Sequence, residues 1–552
     1  MKTMIQRPQR SFDSTALKFV SILKTNGPSL GILCLMLCLA IPVFSQCPED
    51  RPEFPDDLKN PPNVCYDGED GKKVEITASK QAVTWAGHPN VKTNVYSLKY
   101  KDKSHDASYT PPTIRVNPGT TLNINLTADL DYAGATDCDD EHHQYTNLHY
   151  HGFEVSPNPP QDDVITIKLK NKDTYPYAVV LPQGHPEGMF WYHPHPHGCS
   201  FFQVNGGMSG VLIVGDILKR QYPKLAGIRE RILLLKDGDP RPGNALRYER
   251  RVVKFSSTLK DDEGKLITVN GMDKPKMFIH PGEKQFFRIG NVGTNAFVKI
   301  AIKPLKDAPK INAEIIAVDG MATDKEIDLP SEGWLLPPGS RVEMIVEGPK
   351  AGIYEIISTK IEAESAIKNP LATLEVREGP AKTADLPPLQ ALEQVPKARS
   401  AYYPTNEEFA GATDQCTIRP KSKIEGCTFV FSVGGGEYRI NDKAYDENVT
   451  DVTCKIGPDK VYEWTLCNDT GERHAFHIHQ IHFDVLDING KPIEAPVRDV
   501  VDMPPRIKKG EVSKTRIRLA FKHDYLEGKF VFHCHMLTHE DKGMMMNIVV
   551  EK

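Results

Sequence analysis

With 552 residues the chain is too long for one hydrophobic core, and roughly three or four domains are expected. A hydrophobic content of 39 % beside 26 % charged residues describes a soluble globular protein. The formal net charge of -5 leaves no basic footprint for nucleic acid, which excludes that class of partner.

Residues 1–45 read as a targeting segment. Lys2, Arg7, Arg10, Lys18 and Lys24 form a basic region ahead of an apolar run from Leu30 to Phe44 that is short for a membrane span. Cleavage after Ser45 would export the protein as secreted or periplasmic, and membrane attachment follows only if the segment is retained. Residues 46–72, Pro-rich and carrying Cys47 and Cys65, read as an irregular N-terminal extension.

From Lys72 onward short alternating strands are punctuated by Gly, Pro, Asn and Asp, with almost no helical periodicity. One pattern recurs three times: an apolar residue, any residue, Pro, a turn residue, then an alternating strand. Its prolines, Pro118, Pro281 and Pro458, lie 163 and 177 residues apart. Pro-Gly before a strand is a common turn signal, so a single match would mean little. Three at similar spacing predict three β-sandwich domains, at 73–218, 229–378 and 428–552, with a linker over 379–427. Eight cysteines outside the targeting segment, setting Cys534 aside, suggest disulfides in an exported protein, with Cys416–Cys427 as a local candidate pair.

Histidine is patterned. Chance gives about one His-x-His for 19 His in a chain of this length, yet five occur, at His149/His151, His193/His195, His195/His197, His477/His479 and His533/His535. The middle domain has none, so a site built from these residues requires the first and last domains to meet.

The densest stretch is Phe530–Met546. Read as a strand, Phe530–His535 points His533 and His535 to one face and Cys534 to the other, so one segment serves two sites. Cys534, His539, a further imidazole and a thioether make the ligand set of a blue copper centre. Met544 is the favoured thioether, with Met545 and Met546 as rivals on proximity. Eight histidines remain for a second group of metal ions: His149, His151, His193, His195, His477, His479, His533 and His535. Copper suits them; zinc is the rival metal, but a closed four-ligand zinc site does not explain a thiolate between two outward histidines.

Four stretches, Leu148-His-Tyr-His-Gly152, Trp191-Tyr-His-Pro-His195, His474-Ala-Phe-His-Ile-His479 and His533-Cys-His-x-x-x-His539 with Met544, resemble the copper signatures of the three-domain multicopper oxidases, the laccase-like enzymes. The resemblance spans nearly the whole chain after the targeting segment. It implies an all-β fold of three tandem cupredoxin-like Greek-key β-sandwich domains and four copper ions. One, of type 1, would be held by His474, Cys534, His539 and axial Met544. One of type 2 would be held by His149 and His477. Two of type 3 would be held by His151, His193, His195, His479, His533 and His535. His197 matches no ligand position, though the His-Pro-His-Pro-His run leaves a two-residue slip open. Ala475 stands where many members have Pro.

The implied activity is four one-electron oxidations of a phenolic or aromatic donor coupled to reduction of dioxygen to water, with Cys534 as the catalytic link between the sites. Glu540 and Asp162 resemble the acidic residues that serve the cluster with protons. A metal-ion donor, Fe(II), Cu(I) or Mn(II), is the alternative substrate, and a non-enzymatic cupredoxin scaffold is the alternative of another class.

Overall fold

The computed structural model describes residues 58–130, 138, 144–238, 266–361, 370–379, 415–457 and 460–552. The targeting segment, the start of the N-terminal extension with Cys47, most of the linker and Pro458 lie outside these residues. Among the described residues six sheets form, two each from the first, middle and last thirds of the chain. Each pair encloses its own hydrophobic core. This is the tandem cupredoxin-like β-sandwich architecture. No helix among the described residues is long and apolar enough to cross a membrane.

The period-two pattern accounts for the strands directly. In Thr121–Asp129, the apolar residues Leu122, Ile124, Leu126 and Ala128 are buried in the first core while the residues between them face outward. The strand Gly188–His193 breaks this alternation and is buried throughout. Its Phe190 and Tyr192 fill the first core, whereas Met189 and Trp191 pack against Ile232, Leu234 and Val292 of the middle sandwich. A strand covered on both faces, here by two domains, loses its polar face.

The sandwiches meet through small apolar contacts. Val164 of the first packs with Val531 and Met545 of the third, and Phe201 and Val204 with Leu537. Phe297 and Ile361 of the middle sandwich pack with Ala475 and Val500 of the third.

The extension is not irregular throughout. Asn63–Cys65 is a strand in parallel register with Thr113–Val116, and Leu58 enters the core of the middle sandwich. A Pro-rich composition hides a three-residue strand, because so short a stretch carries no readable alternation.

The pairing Cys416–Cys427 is overturned. Cys416 bonds Cys454, Cys427 bonds Cys467, and Cys138 bonds Cys199. Cys416 adjoins the strand Thr417–Ile418, which pairs antiparallel with Val452–Lys455, so register rather than nearness in sequence selects Cys454. Cys534 is a buried free thiol. Disulfides on this scale fit an oxidising compartment.

Candidate metal centre

Strand register brings the histidines together. In the first sandwich His149–His151 runs antiparallel to Gly188–His193 with His149 opposite His193. In the third, His474–Ile478 runs antiparallel to Gly528–Cys534 with His477 opposite His533. Directly opposed residues on one sheet face lie within side-chain reach. The two domains then close on each other. His195 Nε2 lies 3.1 Å from His533 Nε2, and His535 Nε2 lies 3.2 Å from His151 Nδ1. His149 stacks on His479 and His151 on His477, each pair with ring centroids 3.9 Å apart. All eight rings are buried.

Burial, with the neighbouring imidazoles adding to it, pushes His151, His193, His195, His477, His479 and His535 well below the ordinary imidazole range. Burial brings His533 down to about 3. Neutral rings keep a lone pair for a metal. Outer hydrogen bonds decide which nitrogen carries it: the Nδ1 of His193 donates to Pro194 O and that of His477 to Asp499 O. The Nε2 atoms of His149, His193 and His477 are buried without a hydrogen-bond partner. Three such atoms would be costly in an apolar protein interior. Metal ions remove that cost, and the donor atoms gather in sets lying within 4.8 Å of one another: His149, His151 and His193; His149, His477 and His479; His195, His479 and His533. The residues present fit a group of transition-metal ions.

A second site lies behind the same strand. Cys534 Sγ is 3.5 Å from His474 Nδ1 and 3.6 Å from His539 Nδ1, and these two nitrogens are 3.1 Å apart. The strand ends at Cys534, and the short helix Leu537–Asp541 returns His539 to the sulfur. Met544 is buried in the same core, its N–H bonded to His539 O and its carbonyl to Cys534 N. Met545 instead lies opposite His533 and packs toward the first sandwich with Val164. Burial lowers His474 to about 3 and pushes the Cys534 thiol up to about 12, so ionising that sulfur requires a cation.

Both expected carboxylates are buried beside the cage. Asp162 lies 3.0 Å from His149 Nδ1 and accepts from Tyr150 N at 3.1 Å and Gln480 Nε2 at 2.9 Å. Glu540 accepts from Ser200 Oγ at 2.9 Å and lies 3.3 Å from His533 Nδ1 and 3.6 Å from His195 Nδ1. Burial, then the Asp541 charge, raises the Glu540 carboxyl well above the usual range, against the Ser200 hydrogen bond. His197 stands against Tyr445, with ring centroids 4.8 Å apart, and belongs to none of these donor sets.

Three contributors were missed in the sequence. Asp499 places Oδ1 3.4 Å from His151 Nε2 and joins His151 and His477 as a further donor set. Tyr438 stacks on His539 at 4.0 Å and donates its hydroxyl to Glu472 Oε2 at 3.2 Å. Glu472 Oε2 is 3.6 Å from His539 Nε2, and with its side chain 24 % exposed it connects this site to solvent. Glu472 lies two residues before His474, a nearness that could have marked it, whereas Tyr438 and Asp499 follow from strand packing alone.

Tandem cupredoxin-like sandwiches whose first and last members share a cage of buried imidazoles, next to a thiol flanked by two more, define a metal-dependent redox protein. The comparisons agree. Two family models, both described as multicopper oxidase, match residues 103–218 and 420–552. A multicopper oxidase of Staphylococcus haemolyticus is 26 % identical over 83 % of this chain and 86 % of its own. A laccase of Haloferax volcanii is 24 % identical over 89 % of this chain and 83 % of its own. Among solved structures, a Campylobacter jejuni multicopper oxidase described as a metallo-oxidase superposes with a TM-score of 0.64 and 21 % identity, covering 91 % of this chain and 96 % of that one. The chain belongs to the multicopper oxidases and is a copper-dependent oxidoreductase.

Proposed function

We propose that the protein is a laccase-like oxidase that takes single electrons from phenolic or related aromatic donors at the sulfur site and passes them to dioxygen at the histidine cage. The observation that supports this reading is the pair of candidate donor groups: Cys534 with His474 and His539 on one face of a strand, and His533 on the other beside seven further imidazoles. In this reading Met544 completes the type 1 site, His149 and His477 hold type 2 copper, and His151, His193, His195, His479, His533 and His535 hold the type 3 pair. Copper in these positions would supply one-electron acceptance beside Cys534 and four-electron reduction of dioxygen to water at the cage.

The chain's own residues do the remaining work. Cys534 is joined to His533 and His535 by single peptide links, which ties the two sites covalently. Asp162 fixes the ring of His149 through its Nδ1 proton. Glu540, between His195 and His533, is positioned to hold a proton for the cage. The units 73–218 and 428–552 carry the site and 229–378 spaces them. Residues 1–45 direct export, a reading to which the disulfides lend support.

One observation favours a second donor class. Glu472 sets a partly exposed carboxylate against the outer nitrogen of His539, which suits a cation such as Fe(II), Cu(I) or Mn(II) as electron source. Dioxygen uptake with a phenol and with each ion, in one buffer, separates the two. Faster uptake with the phenol, unchanged in Glu472→Gln, supports the laccase-like reading. Faster uptake with an ion whose KM rises in Glu472→Gln supports the metallo-oxidase reading, and no uptake with any donor refutes both.

A further inference from the structure

The middle sandwich supplies no histidine to the cage, yet one of its side chains grips a residue that borders it. Arg341, at the start of the strand Arg341–Glu347, is fully buried. Its Nη1 and Nη2 donate to Asp499 Oδ1 and Oδ2, both at 2.7 Å. Nε donates to Met189 O of the first sandwich at 3.1 Å, and the backbone N–H of Arg341 donates to Asp319 Oδ1 at 2.8 Å. One guanidinium thus touches all three sandwiches. Its planar fork allows the Asp499 carboxylate a single orientation.

Asp499 in turn faces the cage twice. Its carbonyl accepts from His477 Nδ1 at 2.7 Å, which turns Nε2 inward, and its Oδ1 lies 3.4 Å from His151 Nε2. On the far side Oδ2 lies 3.7 Å from His482 Nε2, and His482 is held by Glu154 Oε1 and Asp319 O, each at 2.9 Å. Two glycines make room for the approach. At Gly152, with φ +84°, a Cβ would fall 2.3 Å from Asp499 Oδ2 and 2.6 Å from Arg341 Nη2. At Gly339, with φ +93°, it would fall 3.1 Å from His151 and 3.2 Å from His535. The backbone is bare where the ion pair and its loop meet the cage, and both glycines adopt the left-handed conformation that other residues resist.

We propose that Arg341 is a positioning residue for the copper cage, acting through Asp499 on His477 and His151, so that the middle sandwich sets cage geometry without contributing a ligand. This rests on the reading of the cage as a copper site. Removing such an outer partner weakens metal affinity about 10- to 100-fold.

The test uses the full chain, stripped of metal and titrated with copper. Copper content and electron paramagnetic resonance report the cage, and the blue colour of the Cys534 site serves as the internal control. Arg341→Met removes the fork at similar length. Because it also leaves the Asp499 carboxylate buried and unpaired, the double variant Arg341→Met/Asp499→Asn is measured beside it, with both charges gone. Expected in both is a Cys534 site that fills as in the unaltered protein and a cage that fills about 10- to 100-fold more weakly. Unchanged cage affinity in either variant overturns the proposal. Parallel weakening of both sites also overturns it, because the pair would then merely hold the sandwiches together. An unaltered protein that takes up no copper removes the cage reading and the proposal with it, whereas normal loading of the unaltered protein and both variants refutes the proposal alone.

Discussion

Asp162→Asn isolates the support of one imidazole. The carboxylate offers Oδ1 to Tyr150 N and Oδ2 to Gln480 Nε2, and both oxygens lie within 3.1 Å of His149 Nδ1. An asparagine keeps the shape but replaces one oxygen with an NH2 group. Turned toward Gln480, whose Oε1 is buried without a partner, that NH2 is accepted once the Gln480 amide turns over, and what is lost is the charged acceptor of the His149 Nδ1 proton. Losing a buried hydrogen bond to a charged group costs about 1–3 kcal/mol. If that cost falls on the metal-loaded arrangement of His149, cage affinity drops roughly 5- to 150-fold. The assay is copper titration of metal-free protein, reading cage copper by electron paramagnetic resonance and the Cys534 site by its blue colour. The expected result is weaker cage loading with the blue site intact. Cage loading equal to that of the unaltered protein would refute the reasoning, since Asp162 would then lie beside His149 without holding it.

Cys534→Ser is expected to abolish the blue colour and dioxygen uptake while circular dichroism remains that of a folded β protein; persistent donor-driven uptake would rule out electron entry through this sulfur. Acid should weaken the contact between the first and middle sandwiches. Glu230, largely buried between Arg115 and Arg288, has its carboxyl held at about 2, below the ordinary 4.5, because the two guanidinium groups outweigh the cost of burial. The folded state therefore binds fewer protons than the unfolded state between these values. A contribution of up to about 3 kcal/mol, complete above pH 4.5, is lost as the pH falls toward 2. Unfolding midpoints across that range should decline less steeply in Glu230→Gln. Opening the Cys427–Cys467 disulfide, which spans 40 residues, should cost about 4 kcal/mol by loop-closure entropy. The double serine variant should then have a shorter half-life at elevated temperature, and an unchanged half-life would count against that figure.

The candidate donor residues stood out in the sequence because their spacing along each strand is local. A strand alternates its side chains with period two, so a Cys between two His must face away from them whatever the rest of the chain does, and Cys534 and His533 do so here. The repeated Pro-turn-strand pattern announced tandem sandwiches for the same reason. The absence of His-x-His from residues 229–378 assigned that region no ligand, yet it left Arg341 unseen. A lone arginine or aspartate has no periodic signature, and Arg341 meets Asp499 across 158 residues only after two sandwiches have docked. Tyr438 against His539, Cys416 with Cys454 and the strand Asn63–Cys65 were likewise decided by register and domain packing. Local backbone geometry determined which residues can bind metal. Contacts between distant segments decided what holds those residues in place, what connects them to solvent and which thiols pair, because such contacts exist only once the chain is folded.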